Sequence, residues 1–327
     1  MDRQKKASSP TFTVVMIIVS VAVVISIMFL FFMSLRNLTY RQAETNAGER
    51  ALHLRDNITN ILKQYTDVIN KTSLGISFAL GLGPVSQQNM GSYFNGIIAQ
   101  IPEIQMLYFT NNNVWNRSGG YAAFSDPNFT PAETWDNTRR PWYIDAKAAG
   151  GGAVAYSEPY LDAFFGGIVI SASAVVFDQR NTDIGVVAID ILATELENML
   201  NANKKFPQQQ IYLVNKDGLF INHSDIDAVM NRDFFSEFGI ENHKADFLYS
   251  DEYSLLTKGS LYNSARIPII NWMLVIVTPE SILNAEVNSL LMYMVLISII
   301  NLVAAIYIAI LIVNRMTRKT AYEAGLI

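Results

Sequence analysis

Six residues, 138-TRRPWY-143, place two guanidinium groups beside an indole and a phenol. Arginine presents a planar fork of N–H donors that matches a carboxylate. Aromatic faces attract ammonium groups, by about 0.5–2 kcal/mol depending on desolvation. Downstream, 159-PYLD-162 and 184-IGVVAID-190 each end in an aspartate, which accepts charge-assisted hydrogen bonds from an ammonium group. Together these residue types are complementary to both ends of a small zwitterion, such as an α-amino acid.

Each of these residues also has a purely structural interpretation. Arg140 could pair with Asp136 or Asp145 while the following proline fixes a turn. Trp142 could be an ordinary core residue, since tryptophan is usually well buried. The aspartate of PYLD could be a turn residue, and that of IGVVAID could cap a strand end. The order and spacing of the whole set favour a ligand site over a series of unrelated structural residues.

Three short motifs in this order resemble the amino-acid-binding form of the double Cache (dCache) sensor domain. They are R-x-W-Y at 140–143, Y-x-D at 160–162 and an aspartate that closes a G-V-V-x-I-D strand at position 190. The resemblance covers the whole region between the two apolar segments described below. It implies that the membrane-distal of two modules binds the ligand, with the arginine side contacting the carboxylate and the Tyr and Asp residues contacting the amino group.

The resemblance gives each matching position an expected role. Arg140 and Trp142 are expected to hold the carboxylate. Tyr143 and Tyr160 line the pocket, and the two aspartates take the ammonium group. Tyr121 is a further candidate pocket tyrosine, outside any local motif. The expected ligand-binding residues are therefore Arg140, Trp142, Tyr143, Tyr160, Asp162, Asp190 and Tyr121.

One departure from the family lies directly after the Y-x-D motif. Ala163 occupies a position where several members carry a hydroxyl residue that adds a ligand contact. Phe164 and Phe165 follow it and are expected to narrow the pocket. The motif set therefore defines the class of ligand and leaves the preferred side chain open.

Two apolar segments predict membrane spans. No charged residue occurs between Ala7 and Leu35, or between Ser289 and Val313, and each segment exceeds the roughly 20 apolar residues that cross a bilayer core. Basic residues precede the first segment and follow the second, which by the positive-inside tendency places both ends in the cytoplasm. We therefore expect a multi-pass protein of the inner (plasma) membrane with an extracytoplasmic middle region.

The sequence divides into seven expected segments. They are a cytoplasmic N-terminus (1–10), a first transmembrane helix (11–35), a stalk helix (36–69), a membrane-distal Cache module that binds the ligand (70–195), a membrane-proximal Cache module (196–285), a second transmembrane helix (289–313) and the cytoplasmic start of a truncated signalling region (314–327). No proline interrupts positions 11–82, so the span and the stalk are expected to form one helix.

The predicted fold class is α+β: a long N-terminal stalk helix with two tandem PAS-like (Cache) modules, each built on an antiparallel sheet, flanked by two transmembrane helices. Hairpin patterns at 104–119 and 210–225 support two modules. Apolar segments with the pattern of β-strands, at 167–177, 184–192 and 272–279, support them as well. One large irregular domain is the alternative.

Composition excludes several functional classes. There are 24 Lys and Arg against 29 Asp and Glu, and the basic residues form no stripe of the kind that nucleic acid requires. The chain has no cysteine, hence no disulfide framework or thiolate metal site. Nucleophile elbow, zincin and phosphate-loop motifs are also absent, so we expect neither an enzyme nor a cofactor or metal.

The expected function is that of a transmembrane chemoreceptor-type sensor for an extracytoplasmic L-amino acid. The resemblance further implies contact with membrane lipid, a homodimer, and cytoplasmic signalling partners bound through a C-terminal region beyond residue 327. Two alternatives stand beside it. The ligand could be a simple amine, or the protein could be a non-sensing membrane protein that binds a protein partner through exposed Trp115 and Trp135.

Overall fold

The computed structural model describes residues 10–164 and 166–323. The helices are α1 (Pro10–Leu82), α2 (Gln87–Ile98), α3 (Pro141–Ala149), α4 (Ala193–Ala202), α5 (Phe234–Phe238), α6 (Lys244–Tyr249) and α7 (Glu280–Glu323). The strands are β1 (Ile104–Thr110), β2 (Ala122–Phe124), β3 (Ala155–Tyr156), β4 (Tyr160–Leu161), β5 (Ile168–Phe177), β6 (Asp183–Leu192), β7 (Gln210–Val214), β8 (Glu252–Thr257), β9 (Ser260–Ile267) and β10 (Trp272–Pro279).

Contacts divide the chain into two compact units. One contains the described residues up to Thr45 and from Glu280 onward, and the other contains the described residues between Asn46 and Pro279. Among the described residues of the first unit, apolar side chains of α1 such as Ile25 and Leu30 are exposed, as expected for a surface that faces lipid. By length and composition, α1 is the one helix in the described part of the chain that could cross a membrane.

The predicted second span corresponds to part of α7. Within the described residues, its apolar segment Met292–Ala304 is shorter than a membrane core requires, so the span at 289–313 stays a prediction. The expected cytoplasmic ends fall partly on residues 1–9 and 324–327, which lie outside the described residues.

The second unit begins with the stalk portion of α1. Its apolar residues recur at three- and four-residue intervals, as the sequence pattern predicts, and pack against the two sheets. The buried members are Ala51, Leu54, Ile58, Leu62, Tyr65, Ile69 and Ile76. One long helix therefore contributes to the core beneath both sheets.

The first sheet has the strand order β2-β1-β6-β5-β3, and β4 also pairs with β5. All of its pairings are antiparallel. Side chains alternate between its two faces, so β5 and β6 contribute both to the core shared with α1 and to a separate aromatic core. The candidate ligand residues lie mainly on the aromatic side.

The second sheet has the order β7-β10-β9-β8, again antiparallel. It carries its own aromatic core around Phe220, Phe234 and Tyr262. A long N-terminal helix followed by two antiparallel sheets confirms the predicted α+β class.

Both predicted hairpins are only partly correct. After β1 the chain forms turns through 111–120, and the returning strand is β2, several residues later than predicted. Asn111 and Asn113 hydrogen-bond Gly119 there, which favours a side-chain-braced loop over a tight turn. After β7, the chain returns without forming a second strand, and only an isolated bridge pairs Val214 with Phe220. The side-chain oxygen of Asn222 accepts the hydrogen bond from the Leu213 N–H group.

Candidate functional site

The stretch 138-TRRPWY-143 leads from a 3-10 turn, Asn137–Arg139, into the start of α3. Pro141 occupies the first helical turn, where its missing N–H costs no hydrogen bond. Arg140, directly before it, is extended at φ −82° and ψ 147°, as residues before proline usually are. The chain therefore turns sharply at this point. The Arg140 side chain is left outside the helix, whereas Trp142 and Tyr143 are buried in the first turn.

Arg140 is positioned by the strand that carries the Y-x-D motif. Its Nη2 donates to the carbonyl oxygen of Leu161 at 2.9 Å, and its guanidinium lies 5.2 Å from the centre of the Tyr160 ring. The alternative partner Asp136 is engaged differently, because its Oδ1 accepts from the backbone and hydroxyl of Thr138. The guanidinium thus lies over the ring of Tyr160, a residue that is distant from Arg140 in the sequence.

Asp190 lies at the centre of a buried hydrogen-bond network. It pairs across the antiparallel ladder with Ser171, whose hydroxyl donates to Asp190 Oδ1. The Tyr108 hydroxyl donates to the same oxygen at 2.9 Å. The Tyr160 hydroxyl lies 2.7 Å from Ser171 Oγ. Since Ser171 uses its one proton on the aspartate, the Tyr160 hydroxyl is the donor of this bond, and its own oxygen remains able to accept.

Burial dominates the electrostatics of Asp190. Asp190 is 2% exposed, and the loss of solvation raises its pKa to about 7. The hydrogen bonds from Ser171 and Tyr108 lower this pKa but do not offset the effect of burial. The negative charge of Asp162 raises this pKa further, and the positive charge of Arg140 lowers it. Both charged groups therefore act on the same buried carboxyl, which a bound cation would stabilise in its ionised form.

Asp162 is held in the turn that follows β4. Its Oδ2 accepts from the Phe164 N–H at 2.6 Å, and its own N–H donates to the Gly167 carbonyl. Asp162 is 5% exposed, so its carboxyl group has little contact with water. Burial of such a group is costly, and a role in the turn alone does not account for it. Phe164 packs against Trp135 in the aromatic core, which brings this turn to the same side as Arg140 and Asp190.

The remaining expected residues are placed differently. Trp142 packs edge-on against Tyr108, with ring centres 5.0 Å apart, and so supports the network around Asp190. Tyr143 is in the same aromatic core, but its hydroxyl donates to Asn112. Tyr121 packs with Phe109 on the α1 side of the sheet. The structure therefore brings Arg140, Trp142, Tyr160, Asp162 and Asp190 together and leaves Tyr121 on the opposite face.

Sequence reasoning missed two groups at this site. Ser171 and Tyr108 donate directly to Asp190, yet each stands in an apolar strand that reads as plain core. The sequence offers one indication for Ser171. Serines occur at the alternate positions 171 and 173 of a strand whose other residues are apolar. For Tyr108 no such local signal exists, because its partner is 82 positions away.

Two tryptophans of the aromatic core have indole N–H groups without a hydrogen-bond partner in the described part of the chain. They are the buried Nε1 atoms of Trp115 and Trp135. Trp135 is 7% exposed and Trp115 is half-buried, so the expectation of two exposed partner-binding anchors is wrong. A buried donor without an acceptor costs about 1–3 kcal/mol. These two groups are therefore available to an acceptor on a bound molecule.

Comparison with known proteins identifies part of this region. Residues 58–201 match the family model of the first PDC sensor domain of methyl-accepting chemotaxis protein-like sequences. Methyl-accepting chemotaxis protein McpC of Bacillus subtilis is 31% identical over 100 residues, or 31% of this chain and 15% of McpC. McpB of the same organism is 24% identical over 168 residues, or 51% of this chain. The chain matches only 24% of the length of McpB.

Solved structures share the fold of the middle region. The ligand-binding domain of the Pseudomonas fluorescens chemoreceptor CtaA, in complex with L-isoleucine, superposes with a TM-score of 0.61 at 20% identity, covering 77% of this chain and 98% of that domain. The ligand-binding domain of the Pseudomonas aeruginosa amino acid chemoreceptor PctB, in complex with L-Gln, gives 0.58 at 17% identity, covering 73% and 91%. The double Cache resemblance is thereby confirmed as a fold.

Proposed function

We propose that this chain is a transmembrane receptor for an extracytoplasmic L-amino acid, because residues 58–201 match the model of a methyl-accepting chemotaxis protein-like sensor domain. The amino acid binds at the aromatic face of the first sheet, in the membrane-distal module. Arg140 takes its carboxylate, and Asp162 and Asp190 take its ammonium group. Among the domains of similar fold, that of CtaA is described in complex with L-isoleucine and that of PctB as part of an amino acid chemoreceptor, which supports this ligand class.

The observation that carries the proposal is the electrostatic state of Asp190. A carboxyl group that is 2% exposed and has a pKa of about 7 lies within the influence of both Arg140 and Asp162. An ionised carboxylate at such a site requires a nearby cation. The ammonium group of an amino acid supplies that cation, with Tyr160 oxygen as a further acceptor.

The opposite end of the ligand is recognised by donors. Arg140 has further N–H groups besides the one used on the Leu161 carbonyl, since a guanidinium has five. Its position over the Tyr160 ring fixes the plane of the fork. The buried indole N–H groups of Trp115 and Trp135 add donors without a present acceptor. An α-carboxylate or a carbonyl-bearing side chain satisfies such donors.

Signal transfer is proposed to run through the last strand. β10 ends at Pro279 and α7 begins at Glu280, with no linker between them. A ligand that favours one arrangement of the first sheet shifts the equilibrium by its differential affinity for the two arrangements. We propose that α7 carries this change into a second membrane span at 289–313, that the receptor is a homodimer, and that cytoplasmic partners read the output.

The decisive experiment measures binding of the twenty standard amino acids to the whole chain in lipid nanodiscs by calorimetry and thermal shift. A one-site ligand at 100 times its Kd stabilises the folded state by about 2.7 kcal/mol. We expect at least one amino acid to bind to the wild type and not to Asp190→Asn. Binding of none of the twenty, or equal binding to both proteins, would overturn the proposal.

A further inference from the structure

A cavity lies on the side of the first sheet that faces away from Asp190. This cavity, the α1–α4 cleft, has a volume of about 340 Å³. Small-molecule sites span about 300–1,000 Å³, so the cleft is large enough for a compact organic ligand. Its wall is mainly hydrocarbon and includes Ile58, Leu62, Ile170, Ile191, Met199 and Trp272.

The position of the cleft relates it to the strands of the amino-acid site. Ile170 pairs with Ile191 in the β5–β6 ladder, and the next pair is Ser171 with Asp190. Because side chains alternate along a strand, the isoleucines point to one face and the serine and aspartate to the other. An occupant of the α1–α4 cleft therefore touches the reverse side of the two strands that carry Asp190. The same occupant also contacts α1 and the start of β10.

The charges at the cleft have one sign. Among the described residues that line it, the charged ones are Glu103 and Glu195, both exposed. Within the described part of the chain, neither carboxylate forms an ion pair. Glu103 also lies close enough to the buried Tyr65 ring in the cleft wall to act on it, since its negative charge adds to burial in raising the pKa of Tyr65 to about 12. An apolar interior with a doubly acidic rim is complementary to a molecule with a hydrocarbon body and a positive end.

We propose that the α1–α4 cleft binds a small amphipathic organic cation, whose hydrocarbon part enters the cleft and whose ammonium group lies at Glu103 and Glu195. This site is distinct from the proposed amino-acid site, which lies on the other face of β5 and β6. An uncharged apolar molecule would use the same hydrocarbon wall and leave both carboxylates without a partner. An anion would be repelled by them.

The test uses three probes of equal chain length on the whole chain in nanodiscs of zwitterionic lipid, with empty nanodiscs subtracted. The probes are n-hexylammonium, n-hexanol and hexanoate. The ammonium probe is expected to bind about tenfold more tightly than either other probe, within the range of two exposed ion pairs. Glu103→Gln combined with Glu195→Gln abolishes this preference. Glu49→Gln, which removes an exposed carboxylate elsewhere on α1, leaves it unchanged.

Two further variants separate the cleft from the amino-acid site. Leu196→Trp fills the cleft and is expected to weaken hexylammonium binding at least about tenfold. Asp190→Asn is expected to keep hexylammonium binding while losing amino-acid binding, so the two proposals fail separately. The cleft proposal is overturned if hexanol binds as tightly as hexylammonium, if no probe binds, or if the double glutamine variant binds normally. It is also overturned if binding is lost with Asp190→Asn.

Discussion

The Tyr108 hydroxyl lies 2.9 Å from Oδ1 of Asp190 and donates a hydrogen bond to it from the neighbouring strand β1. This bond and the one from Ser171 favour the ionised carboxylate, yet burial outweighs them and the pKa of Asp190 stays at about 7. The carboxyl group is therefore held near the midpoint of its titration at neutral pH. A cation bound beside it decides which form prevails.

The first prediction concerns which end of the ligand each charge contacts. Arg140→Ala should weaken binding of the best amino acid by about 10–150-fold, the loss of a hydrogen bond to a charged group. At about pH 8.5, where Asp190 is mostly ionised, the same substitution should leave binding of the corresponding decarboxylated amine nearly unchanged. Asp190→Asn should weaken both ligands. Calorimetry on the whole chain in nanodiscs measures each Kd.

Arg139→Ala is the matched control, because Arg139 is the exposed neighbour of Arg140. Its affinities should equal those of the wild type. If the amine loses as much affinity as the amino acid in Arg140→Ala, the arginine is not the carboxylate contact.

The second prediction concerns pH. The pKa of Asp190 is raised in the folded protein, so between about pH 4 and pH 7 the folded state holds a proton that the unfolded state has lost. This contribution to the stability of the ligand-free protein is present at low pH and disappears as the pH rises through about 7. Ligand affinity should change in the opposite direction, because the ammonium group binds the carboxylate form.

Affinity should rise by up to about tenfold per pH unit below pH 7 and level off above it, since binding releases one proton. Calorimetry in buffers of different ionisation enthalpy counts that proton. Asp190→Asn abolishes amino-acid binding and removes the trend in stability, which separates the titration of Asp190 from that of the other acids of the chain. An affinity that is constant from pH 5 to pH 8 contradicts the assignment.

The third prediction uses the serine that donates to Asp190. Ser171→Ala removes one hydrogen bond to the carboxylate and should raise the pKa of Asp190 above its present value of about 7. Amino-acid affinity should fall several-fold at pH 7 and recover at about pH 8.5. Ser173→Ala is the control, because the Ser173 hydroxyl donates to the Trp142 carbonyl instead. The control should keep the wild-type pH profile, and an identical profile in both variants would remove Ser171 from the network.

Much of the site is predictable from sequence because its residues lie in short motifs. R-x-W-Y, Y-x-D and the strand-end aspartate each fix their own local geometry through a proline, a turn or strand alternation. Tyr121 shows the limit of this reasoning. Whether it faces the ligand side depends on the register of β2 against β1, in which Tyr108 pairs with Phe124. The loop of residues 111–120 sets that register, and a shift of one residue would move each side chain to the other face of the sheet. The length of the loop does not indicate which register is adopted.

The partners of Asp190 could not be predicted for a related reason. Ser171 meets Asp190 through cross-strand pairing, and Tyr108 reaches it diagonally from the other side. Cross-strand neighbours follow from sheet order, which places β6 between β1 and β5. A single sequence predicts the strands from their β-branched residues and does not specify this order.

The fourth prediction concerns a glycine that the sheet requires. Gly185 in β6 has φ +150°, and a Cβ there would lie 2.1 Å from the Thr110 carbonyl oxygen in β1. Gly185→Ala should therefore destabilise the folded state by about 3 kcal/mol or more. Thermal and denaturant unfolding followed by circular dichroism measure this loss.

Gly96→Ala is the matched control for the same substitution. Gly96 lies in α2, and a Cβ there would meet nothing within 4 Å. It should stabilise the protein by about 0.5–1 kcal/mol, because alanine favours a helix over glycine. Equal unfolding midpoints for the two variants would show that the strand contact is not required.

The last prediction concerns the contact between the two long helices. The Tyr40 hydroxyl in α1 donates to Glu280 Oε1 at 3.0 Å and also contacts Asn284, both in the first turns of α7. If ligand binding changes the arrangement of these helices, this contact differs between the two states. Its removal must then change ligand affinity by linkage, although Tyr40 belongs to the other compact unit. Tyr40→Phe should shift the amino-acid Kd by about 2–10-fold, within the usual range of coupling energies. Tyr249→Phe, at an 87% exposed tyrosine, should leave the Kd unchanged. An unaltered Kd in Tyr40→Phe means that the contact is the same with and without ligand, and that the signal takes another route.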